Sequence, residues 1–176
     1  AYAKAARVNG ATVLLRNRVT ATKQRADGSW DVETVEGDTI HAEHIVNAGG
    51  LWGREVGRMA GLELPSLCMA HQYILTEEIP EVVEFNKEHG KEVVHAIDFD
   101  GELYMRQERT GMLMGTYEAG GVPWSPVDAP WDFTSELLPP DLDKIADNLA
   151  RGFERYPAFQ NAGIKNIIHG PFAFAP

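Results

Sequence analysis

The chain has 176 residues, of which 44% are hydrophobic and 24% are charged, so it is long enough for one compact domain or one and a half. Its formal net charge of −10 argues against nucleic acid as a partner, because phosphate binding needs clustered Lys and Arg. The sequence has no apolar run of about 20 residues and so predicts no membrane-spanning helix. The single cysteine, Cys68, excludes an internal disulfide and is expected to be a small buried apolar residue.

The first 64 residues predict buried strands from short apolar runs and a meander from alternating runs. Gly10 is the natural end of the first helix, and glycine-containing turns define two hairpins. The predicted elements are, in chain order, a helix at 1–9, a buried strand at 11–15, a three-stranded meander with turns at 26–29 and 36–38, and a second buried strand at 44–48.

The sharpest local motif follows the strand at 44–48, where a predicted helix at 51–60 begins. Gly49 and Gly50 permit a tight turn there, and the free backbone N–H groups at the start of the helix suit a phosphate or another anion. Gly61 is the expected end of this helix. An ordinary strand-to-helix turn of an α/β protein is the alternative, and the motif on its own favours it.

From residue 65 onward the pattern predicts an antiparallel sheet with a flanking helix. The helix is indicated by apolar residues on one face, such as Ile145 and Leu149, and by acidic residues in its first turn. The predicted elements are strands at 69–76, 91–97, 102–106, 112–117 and 163–174, a loop or short helix at 77–90, a loop at 120–130, and a helix at 140–156.

His71 and Tyr104 are the candidate polar pair of this sheet. If they lie on neighbouring strands, both can face a cavity above the sheet, where they would orient an amine or a carboxylate and tune its protonation. A hydrogen-bonded core histidine with an amphipathic tyrosine is the alternative, and pattern alone favours it. The six histidines lack metal-ligand spacing, so no metal site is predicted.

Five motifs, in order along the chain, resemble the FAD-dependent group formed by dimethylglycine dehydrogenase, dimethylglycine oxidase and sarcosine dehydrogenase. They are Val46-Asn47-Ala48-Gly49-Gly50-Leu51-Trp52, Gly61-Leu62-Glu63-Leu64-Pro65, His71-Gln72-Tyr73-Ile74-Leu75-Thr76, Leu103-Tyr104-Met105-Arg106-Gln107-Glu108-Arg109 and Gly115-Thr116-Tyr117-Glu118. The likeness covers nearly the whole chain and is more specific than any single motif. It reverses the preference for the structural alternatives at the glycine turn and at the His71 and Tyr104 pair.

The resemblance implies an α+β fold. It combines part of a glutathione-reductase-like FAD-binding domain, with its β-meander, strand and helix, and an antiparallel substrate-binding sheet with a flanking helix. Residues 1–64 would form the partial FAD-binding domain without its N-terminal Gly-x-Gly-x-x-Gly unit, and residues 65–165 the substrate-binding sheet. Residues 166–176 would be a strand that returns to the FAD domain. We therefore expect an internal segment of a longer flavoprotein.

The same resemblance implies that the parent protein oxidises an N-methylated amino acid, dimethylglycine or sarcosine, by hydride transfer to FAD. The isolated chain is expected to be inactive, with FAD absent or weakly bound, and any tetrahydrofolate would bind on a domain outside it. His71 and Tyr104 are the implied catalytic residues. Arg106 is a candidate for the substrate carboxylate, or equally a structural partner of Glu108 or of another acid. The implied cofactor contacts are Val19, Asn47, Ala48, Gly49, Gly50 and Trp52.

The expected partner is a small-molecule amine, with neither nucleic acid nor membrane. The resemblance implies a cytoplasmic location for a bacterial parent and the mitochondrial matrix for an animal parent. Two alternatives stay open. One is an enzyme of the glycine-oxidase or D-amino-acid-oxidase type, and the other is a non-catalytic ligand- or protein-binding domain. An upstream dinucleotide-binding fingerprint would favour an enzyme.

Overall fold

A computed structural model describes residues 1–175, and the chain divides into two compact units, Ala1–Pro65 and Ser66–Pro176. Each unit contains its own sheet, and helices accompany both, so the expected α+β class is confirmed. The roles predicted for residues 1–64 and 65–165 stay predictions. No helix within residues 1–175 combines the length and apolar character that crossing a membrane requires.

The first unit is built around an antiparallel meander, as the turn signals predict. Gly28 and Gly37 adopt positive φ angles of 87° and 89° in its two turns, which only glycine does readily. Gly10, with φ 89°, follows the first helix and ends it. The elements are α1 Tyr2–Val8, β1 Val19–Gln24, β2 Trp30–Thr34, β3 Thr39–Ala42, a 3₁₀ turn Gly50–Trp52 and α2 Gly53–Met59.

The prediction of buried strands at 11–15 and 44–48 is wrong. Both segments have irregular backbone, and Leu15 and Val46 are 71% and 90% exposed. A strand buried on both faces needs a hydrogen-bonded strand beside it, and the described sheet of this unit contains only β1, β2 and β3. Apolar side chains alone therefore do not make these segments strands.

The second unit is an antiparallel sheet with helices on one face. Its strand order is β5-β6-β7-β4-β8, and β9 also pairs with β4. The elements are β4 Leu67–Thr76, α3 Pro80–His89, β5 Ala96–Asp98, β6 Leu103–Glu108, β7 Gly111–Thr116, β8 Pro123–Ser125, a 3₁₀ turn Asp143–Ile145, α4 Ala146–Arg155, a second 3₁₀ turn Pro157–Asn161 and β9 Ile164–Phe174.

The last strand lies in the sheet of the second unit. β9 pairs with β4 from Ile164 to Phe174, and the division of the chain places it after Ser66 with the other strands of that sheet. The role expected for residues 166–176, a strand that returns to the FAD domain, stays a prediction. The pairing extends along the whole of β4, so these residues complete the sheet.

Side-chain hydrogen bonds to the backbone explain two further differences from prediction. The helix predicted at 140–156 begins only at the 3₁₀ turn Asp143–Ile145, because the Gln72 amide binds both the N–H and the C=O of Asp141. The strand predicted at 91–97 is reduced to Ala96–Asp98. Its earlier backbone groups bind the side chains of Asn86 and Gln107 instead of a neighbouring strand.

The hydrophobic core lies between the sheet and the helices. Alternate residues of the strands point into it, so β6 contributes Leu103 and Met105. Cys68 is also buried, as expected. The other main members of the core are Ile74, Ile79, Val82, Met112, Met114, Ile145, Leu149 and Phe159.

We expect Gln107→Ala to lower the free energy of unfolding by about 2 kcal/mol, because the change leaves buried polar partners unsatisfied. Gln107 is 6% exposed, accepts from the Val93 N–H at 2.8 Å and exchanges hydrogen bonds with the Asn86 amide. Urea unfolding measures the loss. The control Gln24→Ala removes an exposed, long hydrogen bond of 3.4 Å and should change the free energy by less than about 0.5 kcal/mol. Equal losses in both variants would contradict the role of Gln107.

Candidate functional site

The candidate site lies on the sheet face of the second unit that points away from the core. Successive strand residues alternate between the two faces. Because Ile74 and Met105 point into the core, His71 and Tyr73 of β4 and Tyr104 of β6 lie on the opposite side. We call this side the open face.

His71 and Tyr104 meet on the open face. His71 Nε2 lies 3.1 Å from Tyr104 Oη, a hydrogen-bond distance, and the ring centroids are 6.1 Å apart. The expectation that the two residues occupy neighbouring strands is wrong, because β7 lies between β4 and β6. The tyrosine ring crosses β7 at Gly115, which is in register with Tyr104.

A third ring, which sequence reasoning missed, completes the cluster. The ring centroid of Tyr117 lies 5.3 Å from that of His71 and 5.2 Å from that of Tyr104. Phe172 of β9 adds a ring whose centroid lies 5.8 Å from that of His71. Tyr117 remains 51% exposed, so this surface is open. Alternation from Gly115, which places residue 117 on the same face, is the signal that would have found it.

Burial determines the protonation states of the pair. It lowers the pKa of His71 below the usual 6.5; the nearby Glu118 raises this pKa and His169 lowers it, both by smaller amounts. Burial also raises the pKa of Tyr104 to about 12, with smaller raising effects from Tyr117 and Tyr73. Near neutral pH, the phenol of Tyr104 therefore keeps its proton and can donate a hydrogen bond to the neutral imidazole of His71.

Arg106 lies on the open face two residues beyond Tyr104, but its guanidinium is already engaged. Arg106 Nη1 lies 2.7 Å from a Glu108 carboxylate oxygen and 3.0 Å from the carbonyl oxygen of Gln107. The structural partnership with Glu108 is therefore present. A role toward a substrate carboxylate stays a prediction, and it would require Arg106 to exchange Glu108 for the substrate.

The glycine corner, residues 47–50 of the first unit, is held by the Asn47 side chain. Asn47 Nδ2 donates to the Gly53 carbonyl at 2.7 Å, and Asn47 Oδ1 accepts from the Gly49 N–H at 3.0 Å. Gly50 has φ 55°, and a Cβ there would meet no described atom within 4 Å. The helix predicted at 51–60 is divided into a 3₁₀ turn and α2, and Gly61 follows α2 with φ 77°.

The residues predicted to contact a cofactor all belong to the first unit. Val19 and Asn47 line one cleft of about 740 Å³, whose walls include Trp30, Val32 and Val56. Ala48, Gly49 and Gly50 continue from Asn47, and Trp52 ends the 3₁₀ turn. Within residues 1–175, no group of three His, Cys, Asp or Glu side chains is placed to hold a metal ion.

Comparison with known protein families identifies the family to which this chain belongs. The model of the family described as FAD dependent oxidoreductase (DAO) matches residues 1–174. The chain belongs to this family of FAD-dependent oxidoreductases. The resemblance inferred from the ordered motifs is thereby confirmed.

Two curated relatives and one solved structure are similar to this FAD-dependent oxidoreductase chain in sequence or in fold. It is 41% identical to mitochondrial dimethylglycine dehydrogenase of Mus musculus, covering 100% of this chain and 20% of that protein. It is 30% identical to mitochondrial sarcosine dehydrogenase of the same species, covering 98% and 18%. The chain thus spans about a fifth of the length of these relatives. L-proline dehydrogenase from P. horikoshii shares the fold, with a TM-score of 0.73, 22% identity, and coverage of 99% and 42%.

The residues of the FAD-dependent oxidoreductase chain fit a flavin in two respects. On the open face the His71 ring is inclined by only 14° to the Tyr104 ring and by 23° to the Tyr117 ring, and such near-parallel rings suit contact with a planar heteroaromatic ring. A Cβ at Gly170, which is in register with His71, would meet no described atom within 4 Å, so the backbone there is uncovered. At the glycine corner, the backbone of Gly50 is similarly free of side chains.

Proposed function

We propose that this chain is part of a flavoprotein that oxidises an N-methylated amino acid, dimethylglycine or sarcosine. The observation that carries the proposal is the hydrogen-bonded His71–Tyr104 pair on an open aromatic face. The identity of 41% to a dimethylglycine dehydrogenase along the whole chain supports this substrate class over other amines. The isolated chain is expected to be inactive.

His71 and Tyr104 prepare the substrate amine. An N-methyl amino acid in water carries a protonated nitrogen, and its oxidation requires the free lone pair. The neutral imidazole of His71 has one acceptor nitrogen, and its lowered pKa keeps that nitrogen unprotonated near neutral pH. It can take the substrate proton when the Tyr104 hydroxyl turns from His71 to the substrate. The phenol of Tyr104 donates a hydrogen bond and orients the imidazole or the substrate. The rings of Tyr117 and Phe172 offer faces to the N-methyl groups and to the positive nitrogen.

A bound FAD would supply the acceptor for the hydride that leaves the carbon next to the substrate nitrogen. The contacts that we propose for this cofactor are Val19, Asn47, Ala48, Gly49, Gly50 and Trp52. The Asn47 side chain supports these contacts indirectly, because it holds the corner through Gly49 and Gly53. Any tetrahydrofolate would bind a domain outside this chain.

A small-molecule amine is the proposed partner, and the net charge of −10 argues against nucleic acid. The dimethylglycine and sarcosine dehydrogenases that the chain resembles are both described as mitochondrial. We therefore propose the mitochondrial matrix for an animal parent. The cytoplasm of a bacterial parent stays a prediction from the sequence.

The full-length parent should purify as a yellow protein, and dimethylglycine or sarcosine should bleach its flavin absorbance under anaerobic conditions. Glycine, D-alanine and L-proline serve as matched amines without the N-methyl group. Bleaching by glycine or D-alanine alone would favour the glycine-oxidase or D-amino-acid-oxidase alternative. A folded but colourless full-length protein would contradict the proposal and favour a non-catalytic binding domain.

A further inference from the structure

Gly115 lies directly beneath the ring of Tyr104. In β7 it is in register with Tyr104 of β6 on one side and with Tyr73 of β4 on the other. A Cβ added to Gly115 would lie 2.2 Å from Cζ and 2.3 Å from Oη of Tyr104, and the three nearest atoms all belong to that side chain. No real side chain tolerates such distances, so the present ring position exists only because residue 115 has no side chain.

This position is what brings Tyr104 to His71. Neighbouring strands lie about 4.8 Å apart, so β4 and β6 are separated by about 10 Å across β7. A tyrosine that stood upright from β6 would not reach a side chain on β4. With its ring laid across Gly115, Tyr104 Oη comes within 3.1 Å of His71 Nε2.

We propose that Gly115 is a positioning residue of the substrate site: its missing side chain lets the Tyr104 ring cross β7 and hold the hydrogen bond to His71. The inference rests on the proposed function in one respect, that the His71–Tyr104 pair handles the substrate. Gly115 itself needs no contact with the substrate, because it acts through Tyr104.

Other glycines of the same sheet and its helix show why the role is positional. At Gly111 a Cβ would lie 2.6 Å from the Glu77 carbonyl oxygen and 2.8 Å from the Thr76 carbonyl oxygen, which are backbone atoms. At Gly152 it would lie 2.5 Å from Sδ of Met114, inside the core. At Gly115 the opposing atoms are the far end of one side chain on the open face. The ring can swing outward, so alanine should cost the hydrogen bond and leave the fold intact.

The test uses the full-length flavoprotein with FAD bound, as Gly115→Ala, Tyr104→Ala and the double variant. In the crystal structure of Gly115→Ala, we expect the separation of His71 Nε2 and Tyr104 Oη to exceed 3.5 Å. We expect kcat/KM for dimethylglycine or sarcosine to fall about tenfold or more, with FAD content and Tm unchanged. In the Tyr104→Ala background, the same glycine substitution should change kcat/KM by less than about twofold, because the ring it displaces is gone.

Gly163→Ala is the matched control. A Cβ there would meet, among the described residues, only the flexible side chain of Glu77, whose Cγ lies at 3.3 Å. This variant should keep the kinetics of the unmodified protein and the 3.1 Å distance between His71 and Tyr104.

Three results would overturn the inference about Gly115. They are an unchanged hydrogen bond in the Gly115→Ala crystal structure, equal losses of kcat/KM in both backgrounds, and a fall in FAD content or Tm that accompanies the kinetic loss. Failure of the proposed function would look different. The unmodified flavoprotein would then oxidise neither N-methyl amine, while the crystal structure of Gly115→Ala would still decide whether the glycine positions Tyr104.

Discussion

His71→Ala should lower kcat/KM for dimethylglycine or sarcosine by about 100-fold in the full-length parent, while FAD remains bound. The size follows from loss of a proton acceptor, since positioned acids and bases typically contribute about 100-fold or more. Tyr104→Phe should cost about tenfold, because it keeps the ring and removes only the hydroxyl that binds Nε2 of His71 at 3.1 Å. Steady-state kinetics together with flavin absorbance measure both effects.

The pH profile provides a second readout of the same pair. The lowered pKa of His71 means that its imidazole stays neutral as the pH falls through 6.5, so the acid limb of kcat/KM should lie below that pH. Glu118 raises the pKa of His71, so Glu118→Gln should move the acid limb to lower pH still. Burial also makes the folded-state pKa of His71 lower than its unfolded-state value. Any stability linked to this pKa difference is therefore present above pH 6.5 and is lost as the pH falls through the folded-state pKa.

Two control variants separate the kinetic losses expected for His71→Ala and Tyr104→Phe from general damage to the protein. His89→Ala changes a histidine at the end of α3, on the helical side of the sheet, and Tyr2→Phe changes a fully exposed tyrosine of α1. Both should keep the kinetics of the unmodified protein. If His71→Ala and Tyr104→Phe also keep them, these residues do not belong to the substrate site.

Met114→Ala should lower the free energy of unfolding by about 3 kcal/mol, because it opens a cavity where β7 packs against α4. Met114 is 0% exposed and lies against Gly152 of α4, where an added Cβ would be 2.5 Å from Sδ. Met114→Leu, which nearly conserves volume, should cost less than about 1.5 kcal/mol. Urea unfolding followed by a tertiary-structure signal measures the differences.

Val94→Ala is the surface control for this prediction. Val94 is 74% exposed, so its truncation should change the free energy of unfolding by less than about 0.5 kcal/mol. A loss below about 1 kcal/mol for Met114→Ala would show that the site collapses around the smaller side chain, contrary to the tight packing described for Gly152.

Features that depend on neighbours in the chain were predictable from the sequence alone. The meander follows from alternation and from turns at Gly28 and Gly37, whose positive φ angles are a local property of glycine. The helix ended by Gly10 and the strands β4, β6 and β7 follow for the same reason. Family membership was also accessible, because five ordered motifs constrain a sequence far more than any one of them.

The tertiary structure alone decided which segments find partners and which side chains meet. Residues 11–15 and 44–48 are apolar enough for strands, yet no described strand lies beside them to complete a ladder. Asp141 leaves the predicted helix because its backbone binds Gln72, a residue 69 positions away. His71 reaches Tyr104 only because β7 places Gly115 between them. Sequence periodicity specifies the face on which a side chain lies, but strand order and register determine the residue it contacts.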